Sequence, residues 1–240
     1  MGNNRNRESF FRFKKFCVRD SAGAMKIGTD GVLLGAWAPV SGIKRAIDVG
    51  CGTGLISIML AQRGVENIIG VEIAENAATE AKENVENSEW NKTIEIITGD
   101  ATAMNFIDYQ PELIVSNPPF FSDSLLCENN ERTLARHEGS LNFNSLIAFG
   151  STSLVSYGIL AFISPADKEQ DIEFCAVMKR MYIHLKTYVR TVPTKNPKRI
   201  LWLLGKEPVQ PITRTLYIKD TSGNYSQEYI QLTKDFYLHL

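Results

Sequence analysis

Cysteine is scarce: four residues in 240. Cys17, Cys51, Cys127 and Cys175 form no Cys-x-x-Cys pair, so neither a zinc ribbon nor a thioredoxin-like redox motif is indicated. That usage suits a reducing compartment. No apolar run approaches the roughly 20 residues that a bilayer crossing needs. The opening MGNNRNRESFFRFKK is charged and lacks the apolar core and small-residue cleavage site of a secretory signal. A cytoplasmic protein without membrane attachment is therefore expected. Internal repeats and low-complexity linkers are missing, and neither sign of charge is in excess, the net being −1. With 44% hydrophobic and 22% charged residues, the chain has an ordinary globular composition. Its length fits one large domain, or one domain with small additions.

The charge is nevertheless unevenly placed. Residues 1–20 hold Arg5, Arg7, Arg12, Lys14, Lys15 and Arg19 against Glu8 and Asp20. Residues 179–206 hold Lys179, Arg180, Lys186, Arg190, Lys195, Lys198, Arg199 and Lys206 and no acid. Such segments either present a basic face to nucleic acid or form solvated surface balanced by acidic helices elsewhere.

Short β-rich runs alternate with helical stretches. Strands are predicted at 45–49, 67–73, 93–98, 113–116, 158–164, 183–191 and 199–204, and helices at 55–63, 75–88, 143–156 and 167–181. This alternation argues for an α/β fold with helices on both faces of a mainly parallel sheet. After Met181 the alternation breaks. Two strands flank the turn TVPTKNPK, which predicts a terminal antiparallel hairpin. Residues 1–25 show no clear period. The tail reads as a strand (215–219), a turn (220–224) and a helix beginning near Ser226. Its Tyr217, Tyr225, Tyr229, Phe236 and Tyr237 are expected to pin the C-terminus to the core. The layout expected is a single unit over 1–240, with an N-terminal flap or RNA-facing segment (1–40), a core (41–210) and a C-terminal strand and helix (211–240).

AIDVGCGTGLISI (46–58) runs from a buried strand through Gly50, Gly52 and Gly54 into a helix. The glycines allow a tight turn and close approach of a ligand, and the helix start offers unpaired amide donors. A dinucleotide fingerprint would place its third glycine at residue 55, which is Leu. No GK[ST] is present, so this is not a phosphate-binding P-loop. Two acids follow at successive strand ends: Glu72 in IIGVEI and Asp100 in IITGDA. Each alone could be a helix cap or a solvated turn residue. Together they lie where open α/β sheets bind ligands, beyond the carboxyl ends of the strands. Glu72 there can accept from ribose hydroxyls, and Asp100 from an adenine amino group.

The order DVGCGTG, VEI, GDA, NPPF resembles the class I S-adenosylmethionine-dependent methyltransferases, with a Rossmann-like, mainly parallel seven-stranded sheet. That resemblance implies S-adenosylmethionine as cofactor, S-adenosylhomocysteine as product, and no metal. By it, Asp48 and the glycine loop hold the methionine part, Glu72 with Ile73 the ribose, and Asp100 with Ala101 the adenine. Asn117 to Phe120, the NPPF, resembles the motif of enzymes that methylate planar nitrogen. An exocyclic amine is a poor nucleophile because its lone pair is delocalised. The Asn117 side-chain oxygen and the Pro118 carbonyl can each accept one N–H and favour pyramidal geometry. Pro118 and Pro119 stiffen the loop, and Phe120 offers a stacking face, a contact worth about 1–3 kcal/mol. Many adenine enzymes carry Tyr at that place, and guanine-amine ribosomal RNA enzymes often carry Phe.

Three further stretches, MKIGTDGVLLGAWAP (25–39), ARHEGSL (135–141) and GNYSQEYIQLTKDFYL (223–238), resemble the tRNA1(Val) (adenine-37-N6)-methyltransferase family along nearly the whole chain. The implied substrate is the adenine 3′ of the anticodon in tRNA. In that reading Lys26, Thr29 and Asp30 form a flap over the cofactor side, although Asp30 could equally cap a helix at 31–37. Arg136 and His137 could contact phosphate, order the loop, or be a surface pair. His137 is not assigned as a base, and His184 and His239 are expected to be structural or exposed. Arg12, Lys14, Lys15, Lys195, Lys198 and Arg199 are candidate contacts to the RNA backbone. A monomer is expected. The alternatives are methylation of a ribosomal RNA guanine or a protein glutamine, or a chemically inert cofactor-binding partner subunit. An oxidoreductase is disfavoured by Leu55.

Overall fold

The computed structural model describes residues 10–21, 27–119 and 141–239. A two-stranded hairpin, β1 (Phe10–Arg12) and β2 (Cys17–Arg19), precedes helix α1 (Thr29–Trp37). The alternating part follows: β3 (Arg45–Val49), α2 (Leu55–Gln62), β4 (Asn67–Glu72), α3 (Glu75–Glu86), β5 (Ile94–Thr98), β6 (Leu113–Ser116), α4 (Phe143–Ser153), β7 (Ile159–Pro165) and α5 (Glu169–Met178). The chain closes with β8 (Tyr182–Arg190), β9 (Arg199–Gly205), β10 (Ile212–Tyr217) and α6 (Gln227–Thr233).

The main sheet has eight strands in the order β10-β8-β9-β7-β6-β3-β4-β5. All neighbours are parallel except those of β9, which runs antiparallel to both β7 and β8. The expected antiparallel hairpin is therefore β8–β9. The expected seven-stranded sheet gains an eighth strand, because β10 from the tail adds parallel to β8. The hairpin β1–β2 is a further addition; two three-residue strands leave too little sequence to show a period.

Side chains on a strand alternate between faces, and both faces here are covered. Ala46, Leu113, Val115, Ala161 and Ile163 join a cluster with Leu33, Leu34, Ile58, Met59 and Leu60 of α1 and α2, and with Ala78 and Ala81 of α3. Ile47, Ile114, Leu160 and Phe162 point the other way, onto Leu146 and Ile147 of α4 and Ile172 and Ala176 of α5. This is why the central strands read as near-continuous apolar runs. The expectation that tail aromatics anchor the C-terminus holds for Tyr229 and Phe236, both buried, while Tyr225 is exposed. The partners include the N-terminal hairpin. Phe13 stacks on Phe16 at 4.5 Å and packs against Tyr237 at 6.1 Å. The Lys14 amide donates to the Phe236 carbonyl, and its Nζ to the Lys234 carbonyl. Among the described residues, no helix is long and apolar enough to cross a membrane.

Candidate active site

The strand order reverses at β3, which pairs with β4 on one side and β6 on the other. The two crossovers leave in opposite directions there and open a crevice at the carboxyl ends of these strands. Ser116 Oγ bridges them, donating to the Val49 carbonyl at 2.8 Å. The glycine loop follows β3, and Asn117 follows β6 at the same edge.

Gly50, Gly52 and Gly54 have φ of +69°, +54° and +78°. A side chain in this left-handed region costs about 1–2 kcal/mol per residue, so the loop shape itself demands glycine at these three places. Asp48 is fully buried beneath the loop. Its Oδ2 accepts from the Ser57 amide at 3.0 Å and the Ser57 hydroxyl at 2.7 Å, so a β3 side chain caps the start of α2. Its Oδ1 is buried with no hydrogen-bond partner among the described residues. Burial pushes the Asp48 carboxyl up to about 7; the Ser57 bonds oppose the rise and the nearby Glu72 charge adds to it.

Glu72 ends β4 almost buried, its Oε2 accepting from the Gly52 amide at 2.9 Å and its Oε1 from the Ala74 amide at 2.9 Å. Each oxygen keeps a further lone pair for a hydroxyl. Asp100 caps a short turn at Ala101–Ala103, with Oδ1 accepting from the Thr102 amide and hydroxyl, both at 2.8 Å. A cleft lined by Val49, Gly50, Val71, Ile73, Gly99, Asp100, Ala101 and Leu141 joins these positions. It has apolar walls for a flat ring and a carboxylate at its edge. Asn117 stands across the loop, with Oδ1 buried and without a partner among the described residues. An ideal Cβ on Gly31 of α1 would lie 3.9 Å from Asn117 Nδ2 and 3.5 Å from a Leu55 methyl. The start of α1 therefore packs between the two loops. The residues present fit an adenosyl-methionine group: Asp48 Oδ1 is a buried acceptor without a donor among the described residues, the Glu72 carboxylate keeps free lone pairs, and the cleft is an apolar slot.

The structure brings Asp48, Gly50, Gly52, Gly54, Glu72, Ile73, Asp100, Ala101, Asn117, Pro118 and Pro119 to one edge. Thr29 and Asp30 sit at the start of α1, but Asp30 is not a helix cap: α1 begins at Thr29, with Gly28 before it. Asp30 instead pairs with Arg199 Nε at 2.8 Å, which joins a candidate flap residue to a candidate RNA residue. The basic stretch 179–206 divides. Arg190, Lys195, Lys198 and Arg199 lie at the site edge, because Arg199 opposes Pro165 at the carboxyl end of β7. Lys179, Arg180 and Lys206 lie at the far edge, where Tyr182 opposes Gly205. Lys186 is held by Glu169 and Glu173, at 2.5 and 2.8 Å.

Arg12, Lys14 and Lys15 are exposed but also lie toward the far edge. Phe16 packs on Trp90, just before β5, and the tail bonded to Lys14 accepts from Gln62 at the end of α2. The aromatics of FFRFKKF that flank them, Phe13 and Phe16, are buried and face no solvent. Lys26, Phe120, Arg136 and His137 lie outside the described residues. Two further residues support the site: Ser57 and Asn84. The Asn84 amide donates to the Thr53 carbonyl in the glycine loop at 2.9 Å and to the Arg19 carbonyl, and its Oδ1 accepts from the Arg19 amide at 2.8 Å.

Comparison with known proteins bears on this edge. Residues 21–139 match the model of the methyltransferase small domain. A tRNA1(Val) (adenine(37)-N6)-methyltransferase of Bacteroides thetaiotaomicron is 41% identical over 237 residues, covering 96% of this chain and 98% of that one. One from Porphyromonas gingivalis is 42% identical over 240 residues, covering 95% and 94%. The chain belongs to the tRNA1(Val) (adenine(37)-N6)-methyltransferase family. Its fold also resembles the crystal structure of a predicted O-methyltransferase, protein Atu636, from Agrobacterium tumefaciens, with a TM-score of 0.68 at 19% identity over 86% of this chain and 96% of that one. Within the family frame, the three acids and Asn117-Pro118-Pro119 stand on or just after four successive strands of the crevice, β3, β4, β5 and β6. No group of His, Cys, Asp and Glu arranged to hold a metal occurs among the described residues.

Proposed function

We propose that this protein methylates the exocyclic N6 of adenine in tRNA, using S-adenosylmethionine, and that its target is the adenine 3′ of the anticodon, position 37 of tRNA1(Val). Near full-length similarity to the family supports the activity. The single structural observation that carries the mechanism is Asn117 Oδ1, a buried acceptor with no donor among the described residues, at the topological switch beside the glycine loop.

The cofactor supplies an activated methyl on a sulfonium. The chain supplies position and electrostatics. The glycine loop lets the backbone approach the methionine end, and in this reading Asp48 Oδ1 accepts from its ammonium. Glu72 receives ribose hydroxyls; Asp100 and Ala101 receive the adenine. Asn117 Oδ1 and the Pro118 carbonyl accept the two N–H bonds of the target amine and turn its lone pair toward the methyl. A buried, fixed acceptor needs no reorganisation when charge builds on the nitrogen. The amine loses its surplus proton readily after transfer, so no dedicated base is required.

An anticodon loop is already single-stranded, so extruding a base from it breaks no base pair and costs less than flipping from a duplex. The turn 191–198 at the site edge, carrying exposed Lys195 and Lys198, is proposed to hold the RNA backbone. The chain acts as one catalytic unit over 1–240, in the cytoplasm. The test is methyl transfer from labelled cofactor to total tRNA, with nucleoside analysis. N6-methyladenosine is expected, absent with Asn117→Ala while cofactor affinity is retained. Label appearing as N2-methylguanosine, or turnover by Asn117→Ala near wild type, would refute the assignment.

A further inference from the structure

Helix α5 carries an apolar face that nothing in the described structure covers. Phe174, Val177 and Met178 are 67%, 75% and 63% exposed, and Tyr182 beyond the helix is 43% exposed. The three helical residues share one side with Gln170 and Asp171, while Ile172 and Ala176 on the opposite side pack into the core. Single exposed apolar residues are ordinary on a protein surface, but three large ones on one helix face form the kind of patch that marks a contact site.

Charge on this helix is asymmetric. Its first half holds Glu169, Asp171 and Glu173; Lys179 and Arg180 follow its last turn. Glu169 and Glu173 are engaged by Lys186. The Asp171 side chain is 72% exposed and lies 3.8 Å from Lys168. Arg180 adopts φ +55° at the position after the helix where glycine is favoured. An arginine there carries a conformational cost, and it places a cation just past the C-terminal end of the helix.

We propose that this face is a self-complementary dimer contact, with α5 of one protomer packed antiparallel on α5 of a second copy. A two-fold axis near Phe174 and Val177 would set Asp171 of each protomer against Lys179 and Arg180 of the other and join the two apolar patches. That is the isologous pattern of two-fold dimers, in which one patch serves both sides. The carboxylates beside the patch argue against a nucleic-acid backbone as its occupant. A ten-residue helix is about 15 Å long, so the contact falls below standard interface size, and the dimer is concentration-dependent. The monomer expected from the sequence gives way, in this proposal, to a monomer–dimer equilibrium.

Sedimentation velocity of the full chain over a wide concentration range tests it. The wild type is expected to move from monomer to dimer as concentration rises. Phe174→Glu should stay monomeric with unchanged methyl transfer per protomer. Charge exchange then tests the geometry. Asp171→Lys alone and Lys179→Asp alone should each be monomeric, and an equimolar mixture of the two should dimerise, since each clash becomes an attraction. A wild type that is monomeric throughout, or single variants whose mixture does not recover association, would overturn the proposal.

Discussion

Replacing Asp48 with Asn removes a buried charge while nearly preserving shape. In the folded protein the Asp48 carboxyl is pushed from the ordinary 3.8 to about 7, with burial as the dominant cause. A rise of about 3 units corresponds to about 4 kcal/mol between the protonated and ionised forms. The folded value lies above the unfolded one, so the folded state holds more protons between these limits. The stability that protonated Asp48 contributes is complete below about pH 4 and is lost as pH rises through 7. Roughly 2–3 kcal/mol of that loss falls between pH 5 and pH 8. The cofactor-free wild type should therefore lose about this much more stability than Asp48→Asn across that interval. Urea denaturation of both proteins at half-unit pH steps measures the difference. The same logic reaches the cofactor. An ammonium beside Asp48 Oδ1 favours the ionised form, so binding at pH 6 should release a proton that Asp48→Asn does not release. Calorimetry in buffers of different ionisation enthalpy counts that proton. Parallel stability curves for the two proteins would show that Asp48 is already ionised in the apo fold, and the reasoning from burial would fail.

Asn84→Ala should cut the tie between the glycine loop and the N-terminal hairpin; at about 1–3 kcal/mol for stranded buried partners, cofactor affinity should fall roughly tenfold while kcat at saturating cofactor changes little, as steady-state kinetics would reveal. A drop in kcat with unchanged cofactor KM would rule out that role. Reversing Lys195 and Lys198 to Glu should weaken tRNA binding and lower its salt slope by about 2, whereas reversing Lys14 and Lys15, at the far edge, should leave both nearly unchanged; filter binding at several salt concentrations separates the two outcomes.

Much of the architecture was legible because the central strands are short, apolar and bounded by turn residues. Arg45–Val49 and Leu113–Ser116 form over the predicted spans. The glycine loop, Glu72, Asp100 and Asn117 could be named because each stands at or just past the end of a strand, and parallel strands must send such residues to one edge. The short hairpin β1–β2 was not legible; its strands exist because Phe13 and Phe16 find Tyr237, some 220 residues away in the chain, and Trp90. The role of Asn84 was equally hidden, since its partners come from two other elements.

Local chemistry determined the elements, the order of the crevice residues and the family resemblance, because periodicity, turn residues and loop motifs act over a few neighbouring positions. Only the tertiary structure decided which charges share a surface. It split the basic stretch 179–206 between opposite sheet edges, since the antiparallel β9 returns the chain across the sheet. It also locked Asp30 to Arg199 and buried Asp48 deeply enough to raise its pKa. Burial and charge proximity are set by the packing of distant segments, and no local pattern encodes them.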